Sequence, residues 1–468
     1  MSTTQLSRRD LLGRTACGFG HVAFLGLLDS VARASNRGDA NPLTPRAAHF
    51  APKAKQVIFL FMHGGVSHVD TFDPKPKLDE LDGKPLPFDR PLQFSSNTGN
   101  LLKSPWQFKR YGQSGLPVSD LFPHVGSVID EICLIRSMRS EQVDHGGAIL
   151  QLHTGSAVFP RPSMGAWVVY GLGSENQNLP GFVTISPPMF HGATQNYGAS
   201  FLPAAYQGTA VGDFKTPMTE ARIRDLERAE PTDKLQRMQL DLTQRANRRH
   251  LARAGEDSRL SARIEAFELA FRMQTEAPDA MDIEGESAAT RALYGIDAGP
   301  SDNYGRQCLL ARRLIERGVR FVQCSHSYKW DQHGGLKDGH TNNAREVDLP
   351  IAGLIKDLRQ RGMLDETLVV WGTEFGRTPI AEGKDGRDHN PYGFTIWMAG
   401  GGVKGGLAYG ATDELGYYAV ENRVTMYDLH ATILHLLGIE HTRLTYRHAG
   451  RDFRLTDVHG DVLHEIIA

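Results

Sequence analysis

Residues 57–62 read Val-Ile-Phe-Leu-Phe-Met and run straight into His63-Gly64-Gly65. An unbroken apolar run of this length, stopped by a Gly turn, reads as a strand buried on both faces, as in a parallel sheet. In open α/β sheets, ligands sit beyond the carboxyl ends of such strands. The pattern recurs. Short strands are expected at 133–136, 182–185, 319–324, 367–371 and 394–398, the last followed by a tight turn at Ala399-Gly400-Gly401-Gly402. Helices are expected at about 147–152, 303–317, 345–362 and 427–437, the last stopped by Gly438. This alternation predicts an α/β fold: a doubly wound, mostly parallel sheet with helices on both faces. Residues 217–293 differ. They are rich in Glu, Arg, Leu, Ala and Gln, and Leu260, Ile264, Phe267 and Phe271 follow helical spacing. They read as a helical insertion or cap, with solvated charged faces.

The first residues are expected to stand outside the fold. Ser7-Arg8-Arg9-Asp10-Leu11-Leu12 resembles a twin-arginine export signal. A mildly apolar run follows to about Leu28, and Ala32-Arg33-Ala34 has the small-x-small form of a cleavage site. The run is too short and Gly-rich for a good membrane span. Residues 1–34 are therefore read as a twin-arginine signal peptide and 35–468 as one domain, folded before export to the periplasm or beyond. Losing the signal removes four Arg and two Asp, so the net charge moves from −2 to −4. Nucleic-acid binding would need a marked Lys/Arg excess, which is missing. Of four cysteines, Cys17 lies in the signal. Cys133, Cys308 and Cys324 lack CxxC spacing, so zinc-ribbon and redox readings fail, and buried thiols are expected.

Several strands lead at once into ionisable clusters. After the first come His63, His68, Asp70 and Asp73. After the 319–324 strand come Asp331 and His333, two apart. After the 367–371 strand come Glu374 and Arg377, then Asp388 and His389. The segment 144–155 (DHGGAILQLHTG) carries His145 into a helix. Carboxylates and imidazoles gathered at strand ends suit a hard or borderline divalent cation such as zinc, manganese, magnesium or calcium. One or two such cations can clamp a phosphoryl or sulfuryl group and activate the attacking oxygen. Each residue also has a structural reading: Asp73-Pro74 as a turn, Arg377 as a pin for a loop carboxylate, His63 as an outer partner of the ligands. There is no HExxH, no GxSxG elbow, no Walker loop and no Rossmann GxGxxG.

On these residues the chain resembles the alkaline phosphatase and sulfatase superfamily. HGGAILQLHTG is similar to the sulfatase nucleophile segment. Residues 427–438 (YDLHATILHLLG) are similar to a sulfatase helix. WDQHGG, EFGRTP, GRDHNP, AGGGVKGG and GRDFRLTDVHG resemble more closely an exported domain-of-unknown-function family (fifteen-oh-one) placed in that superfamily. The resemblance spans roughly residues 55–460. It implies a doubly wound sheet with metal ligands at its carboxyl edge. Carried over, Asp70 is the early carboxylate, Asp331 and His333 one metal group, Glu374 a replacement for the usual Asp, and Asp388-His389 a later pair.

The departures bear on mechanism. The sulfatase nucleophile position falls on His145, and no Cys has the Pro-Ser-Arg context of formylglycine formation. Phe375 stands where the family has His. His145 is then a ligand, a base or a nucleophile; Ser67, Thr71 and an activated water are the other candidates. The leading reading is an exported metal-dependent hydrolase of phosphate or sulfate esters. Asp70, His145, Asp331, His333, Glu374, Asp388 and His389 hold the cations, and Arg377 and Arg387 bind the anionic ester. The alternative is a secreted binding or scaffold protein on a degenerate phosphatase fold, since fold does not fix function.

Overall fold

The structure, a computed structural model, describes residues 41–95, 97–224, 226, 232–254 and 258–468. The expected signal at 1–34, with Cys17, lies outside the described residues. The strands used below are β1 Gln56–Met62, β2 Thr98–Leu101, β3 Ile132–Arg139, β4 Phe182–Ile185, β5 Thr209–Val211, β6 Phe321–His326, β7 Thr367–Gly372, β8 Gly376–Glu382, β9 Gly386–Asn390, β10 Phe394–Ala399, β11 Leu407–Tyr409 and β12 Val424–Thr425. The longer helices are α1 His145–Thr154, α2 Met164–Leu172, α3 Asp233–Ala254, α4 Ser258–Met281, α5 Asp302–Glu316, α6 Leu336–Gln360 and α7 Met426–Leu436.

The main sheet runs β11-β3-β10-β7-β1-β6-β4-β5, with β12 also paired to β3. β1 lies at its centre. It is parallel to both β6 and β7, with Phe61 level with Ser325 and Gly372. The loops after these three strands therefore leave one edge together. Side chains alternate along β1. Ile58, Leu60 and Met62 enter one core with α5 and α6, while Val57, Phe59 and Phe61 enter the other with α1, α2 and α7. Burial on both faces is why the run has no polar residue.

One strand breaks the parallel rule. β10 is antiparallel to both neighbours, β7 and β3. Between β7 and β10 the chain builds only the β8–β9 hairpin, which joins β2 in a small antiparallel sheet. The hairpin does not carry the chain back across the sheet to its other edge, so the returning strand runs antiparallel. The alternation read from the sequence hid this.

The helices differ from expectation mainly at their ends. α1 is longer than 147–152 because Asp144 caps it, accepting from the Gly147 N–H at 3.0 Å. α6 starts at Leu336, well before 345. α7 has a capping box in which Thr425 and Asp428 satisfy each other's backbone N–H. Within 217–293, the described residues form α3, α4 and the short helix Ala288–Leu293, while 217–224 are not helical. Cys133, Cys308 and Cys324 are buried free thiols. Among the described residues, no helix is long and apolar enough to cross a membrane.

Candidate metal centre

The centre lies where the loops after β1, β6 and β7 meet the N-terminus of α1 and strand β9. Asp331 and His333 come from the loop after β6, His145 opens α1, and His389 sits on β9 opposite Arg377 of β8. The turn after β1 must pass close behind them. A Cβ on Gly64 (φ +125°) would sit 2.7 Å from the Asp331 nitrogen, which explains the Gly-Gly after the strand.

Four donor atoms converge. Asp331 Oδ1 is 3.2 Å from His145 Nε2, 3.0 Å from His333 Nε2 and 3.4 Å from His389 Nε2. His333 Nε2 and His389 Nε2 are 3.0 Å apart. A tetrahedral cation with ligand bonds of about 2.0–2.1 Å has donor–donor edges of about 3.3 Å. Four of the six separations lie near that edge, and all six are within 4.8 Å, a spacing a cation could draw together.

The far nitrogen of each imidazole has an acceptor. His389 Nδ1 donates to the Val143 carbonyl at 2.6 Å, His145 Nδ1 to Glu374 Oε1 at 2.6 Å, and His333 Nδ1 to Glu382. A carbonyl or ionised carboxylate can only accept, so the proton belongs on Nδ1. Every Nε2 lone pair then faces the cluster, the usual outer arrangement of metal-binding imidazoles. His145 Nε2 is buried and makes no hydrogen bond. The residues present therefore fit a divalent cation of the borderline class.

Without a cation, protons settle the charge. Burial opposes ionisation of His145, but the Asp331 and Glu374 carboxylates on its two nitrogens outweigh it and raise its pKa to about 9. Burial dominates at His389, lowering it to about 3 despite Asp331. Burial would also raise Asp331 and Glu374. Three imidazoles and Arg377 instead hold Asp331 far below the carboxylate range, and His145 lowers Glu374 to about 2. The proton on His145 thus takes the place a cation would fill.

The structure separates some residues that the sequence grouped. Asp70 is fully buried against Arg387, with Nε–Oδ2 at 2.8 Å and Nη2–Oδ1 at 3.2 Å. Arg387 also donates to the Thr378 and Leu102 carbonyls, and Ser67 Oγ to Asp70 at 2.5 Å. Each charge satisfies the other, and the pair lies outside the four-donor cluster. Arg377 is likewise committed, to the Gly64, Gly65 and Arg387 carbonyls and to Asp331 at 2.6 Å. It pins a loop carboxylate. Glu374 accepts from Gly64 N, Thr373 Oγ1 and His145, and so orients His145. Asp388 accepts from Ser95 N and His389 N, and lies beside His333 and Glu382. His68 bonds the Gly416 carbonyl, and Asp73 pairs with Lys75, both away from the centre. Of the candidate hydroxyls, Thr71 donates to the Ser67 carbonyl.

Four contributors had not been singled out for the centre. Glu382 ends β8 and holds His333. Phe94 stacks on His389 at 4.7 Å and is more than half exposed. His191 and Tyr328 pack on the His145 side at 5.2 and 6.1 Å. Both have φ +52°, a conformation non-glycine residues rarely adopt. The His191-Gly192 step was the one local hint.

The sequence matches the family described as "Protein of unknown function (DUF1501)" over residues 54–467. The chain belongs to this family. Among curated proteins, none matches. The lipoteichoic acid synthase LtaP from Listeria monocytogenes is 10% identical, covering 87% of this chain and 78% of that one, with a TM-score of 0.39. The PsFucS1 sulfatase from Pseudoalteromonas sp. is 10% identical over 88% and 70%, with a TM-score of 0.33. The alkaline phosphatase from the Antarctic bacterium TAB5 is 9% identical over 83% and 99%, with a TM-score of 0.34.

Proposed function

We propose that this DUF1501 chain is an exported, metal-dependent hydrolase of phosphate or sulfate esters. The observation that carries this reading is the convergence of three Nε2 lone pairs and one carboxylate oxygen at tetrahedral spacing. His145, Asp331, His333 and His389 would hold the cation. A bound divalent cation supplies Lewis acidity and lowers the pKa of water.

The chain's own residues do the rest. Glu374, Glu382 and the Val143 carbonyl fix the imidazole tautomers. Arg377 holds Asp331 in place. His145 opens α1, so the helix's N-terminal amides turn partial positive charge toward an anionic ester. Ser67 and Thr71 spend their hydroxyl protons on Asp70 and on backbone, which favours attack by water over a seryl or threonyl ester. The exposed ring of Phe94 offers a wall for the alcohol part of the substrate.

The test is elemental analysis of the mature protein with turnover of aryl phosphate, phosphodiester and sulfate esters. Stoichiometric metal and a turnover lost in His333→Ala are expected. No metal, and no turnover with any added cation, would leave the binding-protein reading in its place.

A further inference from the structure

The helical insertion is rooted away from the metal centre. Arg272 of α4 donates from Nε to the Gln177 carbonyl at 2.8 Å, Glu276 accepts from Asn176 Nδ2 at 3.2 Å, and Asp279 pairs with Arg317 at 2.8 Å. Asn176 and Gln177 stand shortly before β4, and Arg317 shortly before β6. These are the amino ends of two paired parallel strands, whereas the centre lies beyond the carboxyl ends. α4 is thus anchored at the sheet edge opposite the centre, and capping the centre does not account for the insertion.

α3 packs on α4 by one face. Arg237 pairs with Asp241 at 2.7 Å and with Glu268 at 3.0 Å, and Gln244 donates to the Ile264 carbonyl at 2.8 Å. At 3.6 residues per turn, Leu235, Met238, Leu242, Arg245, Arg249 and Arg253 fall within an arc of about 80° on the side turned from α4. All six are exposed, Leu235 by 40%, Met238 by 59% and Leu242 by 71%. The stripe is apolar toward the start of the helix and cationic toward its end. α3 carries six Lys or Arg against Asp233 and Asp241, in a chain whose net charge is −2. No acidic residue follows Asp241 within the helix.

We propose that α3 lies flat on an anionic phospholipid surface. Leu235, Met238 and Leu242 enter the boundary between head groups and acyl chains, and Arg245, Arg249 and Arg253 pair with lipid phosphates along the same line. Charge selects this occupant. The cations of one helix stand out from an otherwise acidic chain, so attraction to an anionic surface is confined to this face. A second copy would set this cationic helix against its own image. Three apolar side chains also fall well short of the roughly 800 Å² per partner that a stable dimer buries. A bilayer needs no matching surface. Docking there leaves the centre, at the other edge of the sheet, uncovered.

The experiment sediments the mature chain with vesicles of phosphatidylcholine alone, and of phosphatidylcholine with phosphatidylglycerol, at rising salt. Binding is expected to the anionic vesicles only, and should weaken as salt rises. Arg245→Glu with Arg249→Glu should lower the affinity by more than about tenfold. Met238→Ser with Leu242→Ser should lower it by about tenfold or more at every salt concentration, which separates insertion from charge alone. The replaced side chains are exposed, so both variants should keep the wild-type melting temperature and metal content, and the outcome is independent of the hydrolase reading. No binding to anionic vesicles, equal binding to neutral ones, or wild-type affinity in either variant overturns the proposal. A wild type that ignores vesicles but dimerises in gel filtration, with the dimer lost in both variants, also overturns it and assigns the face to a second copy.

Discussion

One oxygen, Asp331 Oδ1, meets three imidazoles and a guanidinium. Asp331→Asn removes the anionic donor and leaves Arg377 without its carboxylate. Its cation affinity should fall by more than the roughly 10–100-fold typical of an outer partner. Glu382→Gln should fall within that range, since it only orients His333; chelator competition measures both. Wild-type affinity in Asp331→Asn would remove it from the ligand set. Asp70→Asn and Arg387→Met each break a fully buried pair and should cost about 3–5 kcal/mol in thermal or denaturant unfolding. Replacing both should cost less than the sum, because no charge is stranded. His145, Asp331, His333 and His389 were legible because each follows or opens an element and sits in a polar cluster. The Asp70–Arg387 pairing was not, because 317 residues separate partners that cancel each other only in space. Glu382 ends a strand of ordinary composition, and His191 stands in an irregular loop, so neither carries a motif.

At the level of elements, β1, β6, β7, β9 and α1 converge on this centre. Gly64→Ala would push a Cβ against the Asp331 and Trp330 backbone at 2.7 and 2.8 Å, in a conformation at φ +125° that alanine resists. It should lower stability by at least about 1–3 kcal/mol and also weaken cation binding, read by melting with and without metal. The pH dependence has a definite sign in the metal-free protein. His145 is raised from 6.5 to about 9, so its protonated contacts stabilise the fold fully below 6.5, and that contribution is lost as pH rises through 9. The chelated protein should therefore melt at lower temperature at pH 9.5 than at pH 6.5, whereas the gain from added cation should grow with pH, because protons compete for His145. A cation-induced gain in melting temperature that shrinks on raising the pH would contradict this. Helix and strand positions were readable where the apolar period was strong, as in β1. The direction of β10 was not, because it depends on what the chain builds between β7 and β10, not on the strand's own residues.

For the whole molecule, the two cores on either side of the main sheet fold around a centre whose donors are far apart in the chain. His145 and the Glu374 that orients it are 229 residues apart, His333 and His389 56. A cation present at about 1,000 times its dissociation constant adds about 4 kcal/mol, so chelation should lower the melting temperature by several degrees, measured at one fixed pH. The same spacing sets a timetable. A growing chain has no complete binding site until His389 has left the ribosome, when most of the sheet is already available to fold. If the twin-arginine reading of the first residues holds, folding finishes on the inner side of the membrane. Any bound cation is then chosen by the supply in the compartment of synthesis, not by the medium into which the chain is exported.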